Sequence, residues 1–371
     1  MPPPAASFSL PETRWFSRLR RCLIRWFDRA ARDLPWRRTS DPYAIWISEV
    51  MLQQTQVATV VTYFERFLAT FPTIAALAAA DRQDVLRAWE GLGYYRRAVQ
   101  LHLAAKVIVE RHGGALPRDR AVLARLPGVG PYTAGAVLSI AFDRREPILE
   151  SNTLRLWCRL LAWPTDPRTT AAKRLFLEAA QRALPVKAAG RMNQALMELG
   201  ACVCAARRPK CGECPVAKLC RARAMGLADS LPRTRPTNPP TPLAEIAVAL
   251  RRRGRCLLWR RSDGGRWAGL WDFPCLEVLE PDALIVAGLA VRIGATLAPP
   301  VRLGTIRYPV TRYRVTRECF AADVLDLTDD YRQRLAQILG GGPRDGRWLA
   351  PTELERYPLS AAGRRMARML G

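Results

Sequence analysis

Four cysteines in the middle of the chain have the spacing of a metal site. Cys204, Cys211, Cys214 and Cys220 follow the pattern C-x6-C-x2-C-x5-C, which brings four thiolates into one short loop. Thiolates are soft ligands that bind zinc or an iron–sulfur cluster. The two tight C-x2-C pairs usual in structural zinc sites are absent, and neither histidine of the chain is nearby in sequence. The spacing therefore favours a [4Fe–4S] cluster and leaves zinc as the alternative.

A carboxylate in a mostly apolar segment is a candidate general acid. Glu49 lies in a stretch that Asp41 can cap and Pro42 can open as a helix. On one long helix, Glu49, Gln53 and Gln56 share a face and point together, which suits a groove. Partial burial would raise the pKa of the Glu49 carboxyl, as a general acid requires. The alternative is a solvated glutamate among amides.

A glycine-containing turn joins two predicted helices. The segment Leu126–Ala134 reads Leu-Pro-Gly-Val-Gly-Pro-Tyr-Thr-Ala, between a helix that ends near Arg125 and one that starts at Pro131. This is the pattern of a helix-hairpin-helix. Gly128 and Gly130 let the backbone approach a DNA phosphate, and the free N–H groups of the second helix supply donors. A lone G-x-G is more often an ordinary turn, so the charge of the chain bears on the interpretation.

The charge of the chain points to a polyanionic partner. Among 371 residues there are 58 Lys and Arg against 33 Asp and Glu, a formal net charge of +25. Such a field concentrates nucleic acid, although an Arg-rich proteome from a GC-rich genome gives the same composition. The apolar fraction of 49% is enough for a real core and excludes wholesale disorder. The length predicts roughly two or three domains.

The sequence predicts a cytoplasmic protein with no membrane partner. No apolar run approaches the roughly 18 residues of a membrane span, and the N-terminus lacks a signal-peptide pattern. The ten cysteines are too unevenly spaced for the disulfide framework of a secreted domain. The Arg-rich segment Arg14–Arg32 is either an organelle transit peptide or, as we favour, a first helix that buries Leu19 and Leu23.

The pattern of apolar residues divides the chain into segments. We expect a disordered tail at 1–16, a helical domain at 17–227 that includes the cysteine loop 204–220, a proline-rich linker at 228–242 and a final domain at 243–371. The final domain contains the strand-like segments Ile246–Leu250 and Cys256–Trp259, and a second β region at Val301–Phe320. The fold class is therefore mainly α, followed by a smaller α+β domain.

Together these motifs resemble the MutY-type adenine DNA glycosylases of the endonuclease III helix-hairpin-helix superfamily. The resemblance covers about residues 17–225. The matching segments are Asp33–Arg37, Ser48–Val57, Gly91–Tyr95, Leu126–Ala134, Pro147–Asn152 and the four cysteines. It implies a six-helix barrel and a cluster-bearing helical subdomain, with the target base flipped into the cleft between them. It also implies that the cysteines bind a [4Fe–4S] cluster.

The resemblance also implies catalytic roles. Glu49 corresponds to the acid that protonates the leaving adenine, and Glu150 stands where the family usually has Asp, to stabilise the oxocarbenium-like sugar. Asn152 would help to orient the site. Tyr132 occupies the position of the lysine with which lyase members form a Schiff base, so a monofunctional, water-using enzyme is favoured.

Further positions are implied as DNA contacts. Gln54 and Tyr94 match residues that wedge into the duplex when the base leaves the stack. The other implied contacts come from the hairpin, from the region of Asp33–Arg37 and from the C-terminal domain: Leu126, Gly128, Val129, Gly130, Arg32, Trp36, Arg37 and Tyr308.

The C-terminal domain resembles the MutT-like (Nudix-fold) domain of the same family through Gly265–Pro274. The chain has no R-E-x-x-E-E run, so we expect no nucleotide hydrolysis. In the family, a loop with a Phe-Ser-His signature reads 8-oxoguanine. We assign the corresponding loop to Tyr308–Val310, which lacks His, and expect a weaker preference for 8-oxoguanine:A over G:A.

The predicted function is removal of adenine mispaired with 8-oxoguanine or guanine, by a monomer acting on double-stranded DNA. Three alternatives remain: a glycosylase for another lesion or mismatch, an endonuclease III-like lyase, and a DNA-binding protein with weakened catalysis. Tyr132 argues against the lyase, and Glu150 is the only argument for weakened catalysis.

Overall fold

The computed structural model describes residues 9–234, 238–263, 266–279 and 281–370. The chain forms two compact units, Met1–Ala75 with Leu103–Thr237, and Ala76–His102 with Asn238–Gly371. The sequence predicted one uninterrupted helical domain over 17–227. In the structure the helical segment Ala76–His102 falls in the second unit, together with the C-terminal residues.

Helices dominate the first two thirds of the chain. In chain order they are α1 (Thr13–Ala30), α2 (Pro42–Leu52), α3 (Val57–Thr70), α4 (Ile74–Ala79), α5 (Arg82–Ala88), α6 (Arg96–His112), α7 (Arg120–Leu123), α8 (Pro131–Phe142), α9 (Ser151–Leu161), α10 (Thr170–Ala183), α11 (Ala189–Cys202) and α12 (Arg221–Ala224). No helix of the described residues is both long and apolar enough to cross a membrane.

The Arg-rich N-terminal segment is a helix with one buried face. Helix α1 buries Phe16, Leu19, Leu23 and Phe27 in a core shared with α9, α10 and α11. The preference for a first helix is thus confirmed, but its start at Thr13 lies inside the predicted tail. Phe16 is 2% exposed and belongs to the buried face, so the amphipathic pattern of the helix continues into the predicted tail. Residues 1–8 of the predicted tail lie outside the described residues.

Helix α2 begins as predicted and ends earlier than predicted. The Asp41 carboxylate accepts hydrogen bonds from the backbone N–H groups of Tyr43 and Ala44, and Pro42 is the first helical residue. The helix stops at Leu52, so the expectation that Gln53 and Gln56 share a helical face with Glu49 is wrong. The chain turns there through a left-handed residue, since Gln54 has φ of 58°.

The predicted helix-hairpin-helix is present as α7, a turn and α8. Gly128 provides the left-handed conformation of the turn with φ of 73°, and Pro131 opens α8. Leu126 and Val129 are 4% and 5% exposed, whereas Gly128 and Gly130 are exposed. The apolar residues of the hairpin therefore hold it against the core, and its glycines form the surface.

The C-terminal residues form a mixed sheet with helices. The strands are β1 (Thr241–Arg252), β2 (Arg255–Arg260), β3 (Trp271–Asp272), β4 (Cys275–Val278), β5 (Ala295–Leu297), β6 (Val301–Val310), β7 (Tyr313–Leu327) and β8 (Gly346–Leu349). The helices are α13 (Ala283–Ile293), α14 (Tyr331–Leu339) and α15 (Ala361–Ala367). Strands β1 and β7 pair in parallel at the centre of the order β3-β2-β1-β7-β5. Apolar clusters lie on both faces of the sheet.

Two predictions about the C-terminal residues need correction. Tyr308–Val310 is not a loop but the end of β6, where Tyr308 pairs with Val315 of β7. Pro309 is tolerated because β6 pairs only with β7 and is an edge strand. The turn is Thr311–Arg312, and Thr311 has φ of 49°. The end of the predicted linker 228–242 belongs to β1, and residues 235–237 lie outside the described part.

The segment Ala76–His102 bonds to the C-terminal residues through both charged and neutral groups. The guanidinium of Arg364 donates to both carboxylate oxygens of Glu90, at 2.7 and 3.0 Å. Gln83 accepts a hydrogen bond from the indole of Trp271 at 2.8 Å and donates to the Gly269 carbonyl. These contacts join the segment to the C-terminal residues of the same unit.

Candidate active site

Glu49 lies at the centre of a buried polar site. It is carried by α2, is 3% exposed, and its Oε2 accepts a hydrogen bond from the Tyr132 hydroxyl at 2.7 Å. Tyr132 is the second residue of α8, so the packing of α8 on α2 brings the two predicted residues together. The side-chain amide of Gln53 donates to the Thr133 hydroxyl at 3.0 Å and joins the end of α2 to α8.

Burial gives Glu49 the protonation behaviour of an acid that works near neutral pH. Loss of solvation raises the pKa of its carboxyl to about 7, although the hydrogen bond from Tyr132 opposes the rise. The negative charge of Glu150 raises this pKa further and the positive charge of Arg37 lowers it. Burial and the neighbouring Glu49 raise the pKa of Tyr132 well above its usual value, so the phenol stays protonated as a donor.

Glu150 lies near Glu49 and caps α9. Its two carboxylate oxygens accept hydrogen bonds from the backbone N–H groups of Asn152 at 2.7 Å and Thr153 at 2.8 Å. The Thr153 hydroxyl accepts in return from the Glu150 N–H, which completes a reciprocal cap. Burial raises the pKa of Glu150, and the backbone hydrogen bonds oppose that shift by favouring the anion. The side-chain oxygen of Asn152 accepts from Arg155 at 2.8 Å.

A second buried carboxylate, missed by the sequence reasoning, stands close to this site. Glu198 of α11 is 1% exposed and accepts hydrogen bonds from the guanidinium groups of Arg32 and Arg37, at 2.7 to 2.8 Å. Burial alone would raise the pKa of Glu198, but these bonds outweigh it and lower the pKa to about 2. Its signal in the sequence is a lone acid in the apolar run Leu196–Leu199.

Three predicted DNA contacts therefore have internal partners. Arg32 and Arg37 hold Glu198, and through the charge of Arg37 this group is coupled to Glu49. Trp36 is 7% exposed and packs edge to face on Phe64, so its ring supports the neighbouring arginines from the core. The prediction that these three residues contact DNA remains untested.

The other predicted DNA contacts are surface positions with unusual backbone. Gln54 and Tyr94 are both exposed and both have a left-handed backbone, with φ of 58° and 47°. Such conformations are costly for residues other than glycine, and they occur where the surrounding structure imposes them. At Tyr94 the Arg97 guanidinium lies over the ring and donates to the carbonyl of Gly93 at 3.1 Å.

The N-terminus of α8 lies at the exposed end of the hairpin. Gly130 is the N-cap of α8 and provides no side chain to cap it, and a side chain added at Gly130 would meet open space. An anionic ligand next to Gly130 would therefore meet the N-terminus of α8, which has no side-chain cap.

The four cysteines of the predicted metal site line one pocket, next to a buried cation. Arg159 of α9 is 1% exposed and donates to the Cys204 sulfur at 3.3 Å. Its other donors reach the carbonyls of Ala205 and Leu231 at 2.6 and 2.8 Å. A buried guanidinium with sulfur and carbonyl partners needs a nearby negative charge, which a group bound by four thiolates supplies. The residues present thus fit an anionic iron–sulfur cluster.

Tyr308 takes part in a buried ion network of the C-terminal sheet. Its hydroxyl donates to Glu245 at 2.8 Å, and the same carboxylate oxygen accepts from Arg317 at 3.0 Å. Arg317 is fully buried and also bonds to Asp272. Tyr308 is therefore a partly buried residue whose hydroxyl has an internal partner, and its contact with DNA stays a prediction.

Comparisons with known proteins agree with this architecture. Residues 47–182 match the model described as HhH-GPD superfamily base excision DNA repair protein. Residues 204–220 match the iron-sulfur binding domain of endonuclease III, and residues 246–369 match the NUDIX domain. The fold and site thus define a helix-hairpin-helix DNA repair protein with a C-terminal Nudix fold, and the cysteine loop binds a [4Fe–4S] cluster. The prediction of this cluster over zinc is confirmed.

Relatives of known name identify the family. A human protein named adenine DNA glycosylase is 32% identical over 407 residues, covering 94% of this chain and 73% of its own length. A rat protein of the same name is 38% identical over 314 residues, 71% of this chain. The chain belongs to the adenine DNA glycosylase family. The match spans 61% of the length of the rat relative.

A solved structure supports the same fold. The structure of a thermostable thymine-DNA glycosylase superposes with a TM-score of 0.52 at 27% identity, covering 57% of this chain and 98% of that protein.

Proposed function

We propose that the chain is a monofunctional DNA glycosylase that removes adenine mispaired with 8-oxoguanine or guanine by hydrolysis of the N-glycosidic bond. The observation that carries the proposal is the buried pair of Glu49 and Tyr132, with a carboxyl pKa of about 7. A carboxyl of this pKa can donate a proton at neutral pH, and a phenol at this position cannot form the Schiff base of a lyase.

Glu49 would protonate a ring nitrogen of the adenine and so turn a poor anionic leaving group into a neutral one. The Tyr132 hydroxyl donates to Oε2 of Glu49, which leaves Oε1 to carry the proton. The same hydrogen bond fixes the carboxyl plane, and proton transfer depends on that orientation.

Glu150 would stabilise the positive charge that develops on the sugar. Its carboxylate is held by two backbone N–H groups of α9, which favour the ionised form and fix its position. Asn152 would orient the site through its place in this cap. The Glu198 group, with Arg32 and Arg37, would supply a polar wall for the flipped base close to Glu49.

Double-stranded DNA containing a mispaired adenine is the proposed substrate. The net charge of +25 and the uncapped N-terminus of α8 support binding of the phosphate backbone. Gln54 and Tyr94 would enter the duplex, since both are exposed on imposed backbone conformations. In the C-terminal domain we propose that the Thr311–Arg312 turn, rather than Tyr308, reaches the base opposite adenine, because it is the exposed end of the β6–β7 hairpin. A monomer in the cytoplasm remains our prediction.

Single-turnover excision on defined duplexes tests the proposal. Duplexes carrying 8-oxoguanine:A, G:A, G:T, thymine glycol and uracil are incubated with cluster-loaded protein, with and without alkali. We expect adenine release from the first two and strand breaks only after alkali. The G:T duplex is included because the thymine-DNA glycosylase named above shares this fold. Release of thymine without adenine would support a different mismatch glycosylase. Binding without any release would support the non-catalytic alternative.

A further inference from the structure

A strongly basic groove lies between α1 and the residues that lead into α11. Five cationic side chains line it: Arg20, Arg21, Arg25, Lys187 and Arg191. Its one acidic lining residue, Asp28, is paired with Arg191. Arg20 is partly used, because it donates to the carbonyl of Arg182 at 2.9 Å.

Three of these cations are available to a ligand. Arg21, Arg25 and Lys187 are exposed, and none of them forms an ion pair with another described residue. Arg21 and Arg25 are one helical turn apart on α1, whereas on the other wall Lys187 precedes α11, which carries Arg191. The groove has cationic side chains on two walls and an apolar lining of Ile24 and Pro185. This arrangement matches an extended polyanion rather than a single small ion.

The groove lies near the end of α8 that is opposite the hairpin. The Asp143 carboxylate, at the C-terminal end of α8, accepts a hydrogen bond from the Ala188 N–H at 2.8 Å, and Ala188 lines the groove. The hairpin amides are at the other end of this 12-residue helix, about 18 Å away. N–H groups at a helix N-terminus point outward along the axis, so a duplex bound there lies beyond Gly130. The groove and that duplex therefore lie at opposite ends of α8.

We propose that this groove binds the sugar-phosphate backbone of a second segment of double-stranded DNA while the hairpin holds the first. Guanidinium groups pair with phosphate oxygens through two parallel hydrogen bonds, and three of the four arginines that line the groove come from α1. A protein with two such sites can pass from one segment to another without full release. The inference rests on the proposed function in one respect: the first segment of DNA is the duplex that the hairpin binds.

The test is bridging of two undamaged duplexes, one labelled with an energy donor and the other with an acceptor. Full-length, cluster-loaded protein should bring the labels together at substoichiometric protein. The variant Arg21→Gln/Lys187→Gln should lose most of the transfer signal. Its log affinity for the second duplex should depend less steeply on log salt, by about two units of slope.

A matched control separates the groove from overall charge. The variant Lys106→Gln/Arg174→Gln removes the same charges from exposed sites on α6 and α10, outside the groove, and should bridge like the parent. Cluster content and binding of a single duplex should be equal in all three proteins. If excision fails but groove-dependent bridging persists, the proposed function is wrong and the second site stands.

Two outcomes overturn the inference. One is equal loss of bridging in the groove and control variants, or no bridging by parent protein that binds a single duplex. The other is groove-dependent binding of a polyglutamate peptide with no bridging of duplexes, which would make the groove a site for an acidic protein.

Discussion

The Tyr132 hydroxyl donates a hydrogen bond to the Glu49 carboxylate across 2.7 Å, and both side chains lie in the buried contact between α2 and α8. This bond favours the ionised form of Glu49 and so works against burial, which alone would raise the pKa of the carboxyl still further. The pair therefore sets the pH range in which Glu49 holds a proton.

Removal of that hydroxyl is expected to move the pH profile of excision to higher pH. In Tyr132→Phe the bond that lowers the pKa of Glu49 is lost, so this pKa rises above about 7. An acid acts while protonated, so the alkaline loss of single-turnover rate should begin at higher pH. Tyr43→Phe is the control, because that hydroxyl is also buried but bonds to the Phe71 carbonyl. A profile that is unchanged or shifted to lower pH in Tyr132→Phe would contradict the assignment.

Glu49 is expected to cost stability at the pH where it works. The pKa of Glu49 is about 7 in the folded chain and 4.5 in the unfolded chain. The contribution of this carboxyl to the free energy of unfolding is therefore fully present below pH 4.5 and is lost as the pH rises through 7. At pH 8, Glu49→Gln should therefore have a higher free energy of unfolding than the parent, by up to roughly 3 kcal/mol, and a higher unfolding temperature. At pH 4 the two proteins should be equally stable. The excision rate of Glu49→Gln should fall about 10²–10⁴-fold with duplex affinity kept. The exposed Glu178→Gln should show no pH-dependent gain.

Patterns local in sequence were predicted, and contacts distant in sequence were not. The cysteine spacing, the cap at Asp41 and the hairpin glycines each depend on a few neighbouring residues. The bond from Arg32 to Glu198 joins residues 166 positions apart, and no local pattern specifies that pairing. The end of α2 at Leu52 was missed because the polar residues that follow have no strong helix-stop signal. Tyr308 was misplaced because Pro309 was taken as a loop residue, although an edge strand accepts proline.

Arg159 is expected to hold the cluster loop. Its guanidinium bonds to the Cys204 sulfur and to carbonyls on both sides of the loop, so Arg159→Gln leaves buried carbonyls unpaired and removes the cation beside the thiolates. Iron content and the visible absorbance of the purified protein should fall, and the remaining cluster should be lost faster to a chelator. Arg168→Gln, an exposed residue paired with Asp166, should keep both. Full iron content in Arg159→Gln would show that the four cysteines hold the cluster without Arg159.

The bidentate pair of Glu90 and Arg364 is expected to anchor the turn that presents Tyr94. Both side chains are 20% exposed, and a lysine cannot reproduce the two parallel bonds. Arg364→Lys should lower the free energy of unfolding by about 2 kcal/mol and increase hydrogen exchange at residues 91–95. The exposed pair of Arg82 and Asp263 serves as the comparison, since Asp263→Asn should change stability by less than about 0.5 kcal/mol. Equal effects of the two substitutions would mean that Glu90 does not anchor the turn.

The departure from the family at Glu150 is expected to be tolerated. The two backbone N–H groups that hold its carboxylate sit at the start of α9, where the shorter Asp is also an effective cap. Because the cap rather than the side-chain length places the charge, Glu150→Asp should keep single-turnover adenine excision within about tenfold of the parent, allowing for a displacement below 1 Å. Glu150→Gln keeps the size and loses the charge, so its rate should fall by about 10²–10³-fold. A large gain in Glu150→Asp would show that the natural glutamate holds its charge too far from the sugar. A near-normal rate in Glu150→Gln would remove this carboxylate from the mechanism.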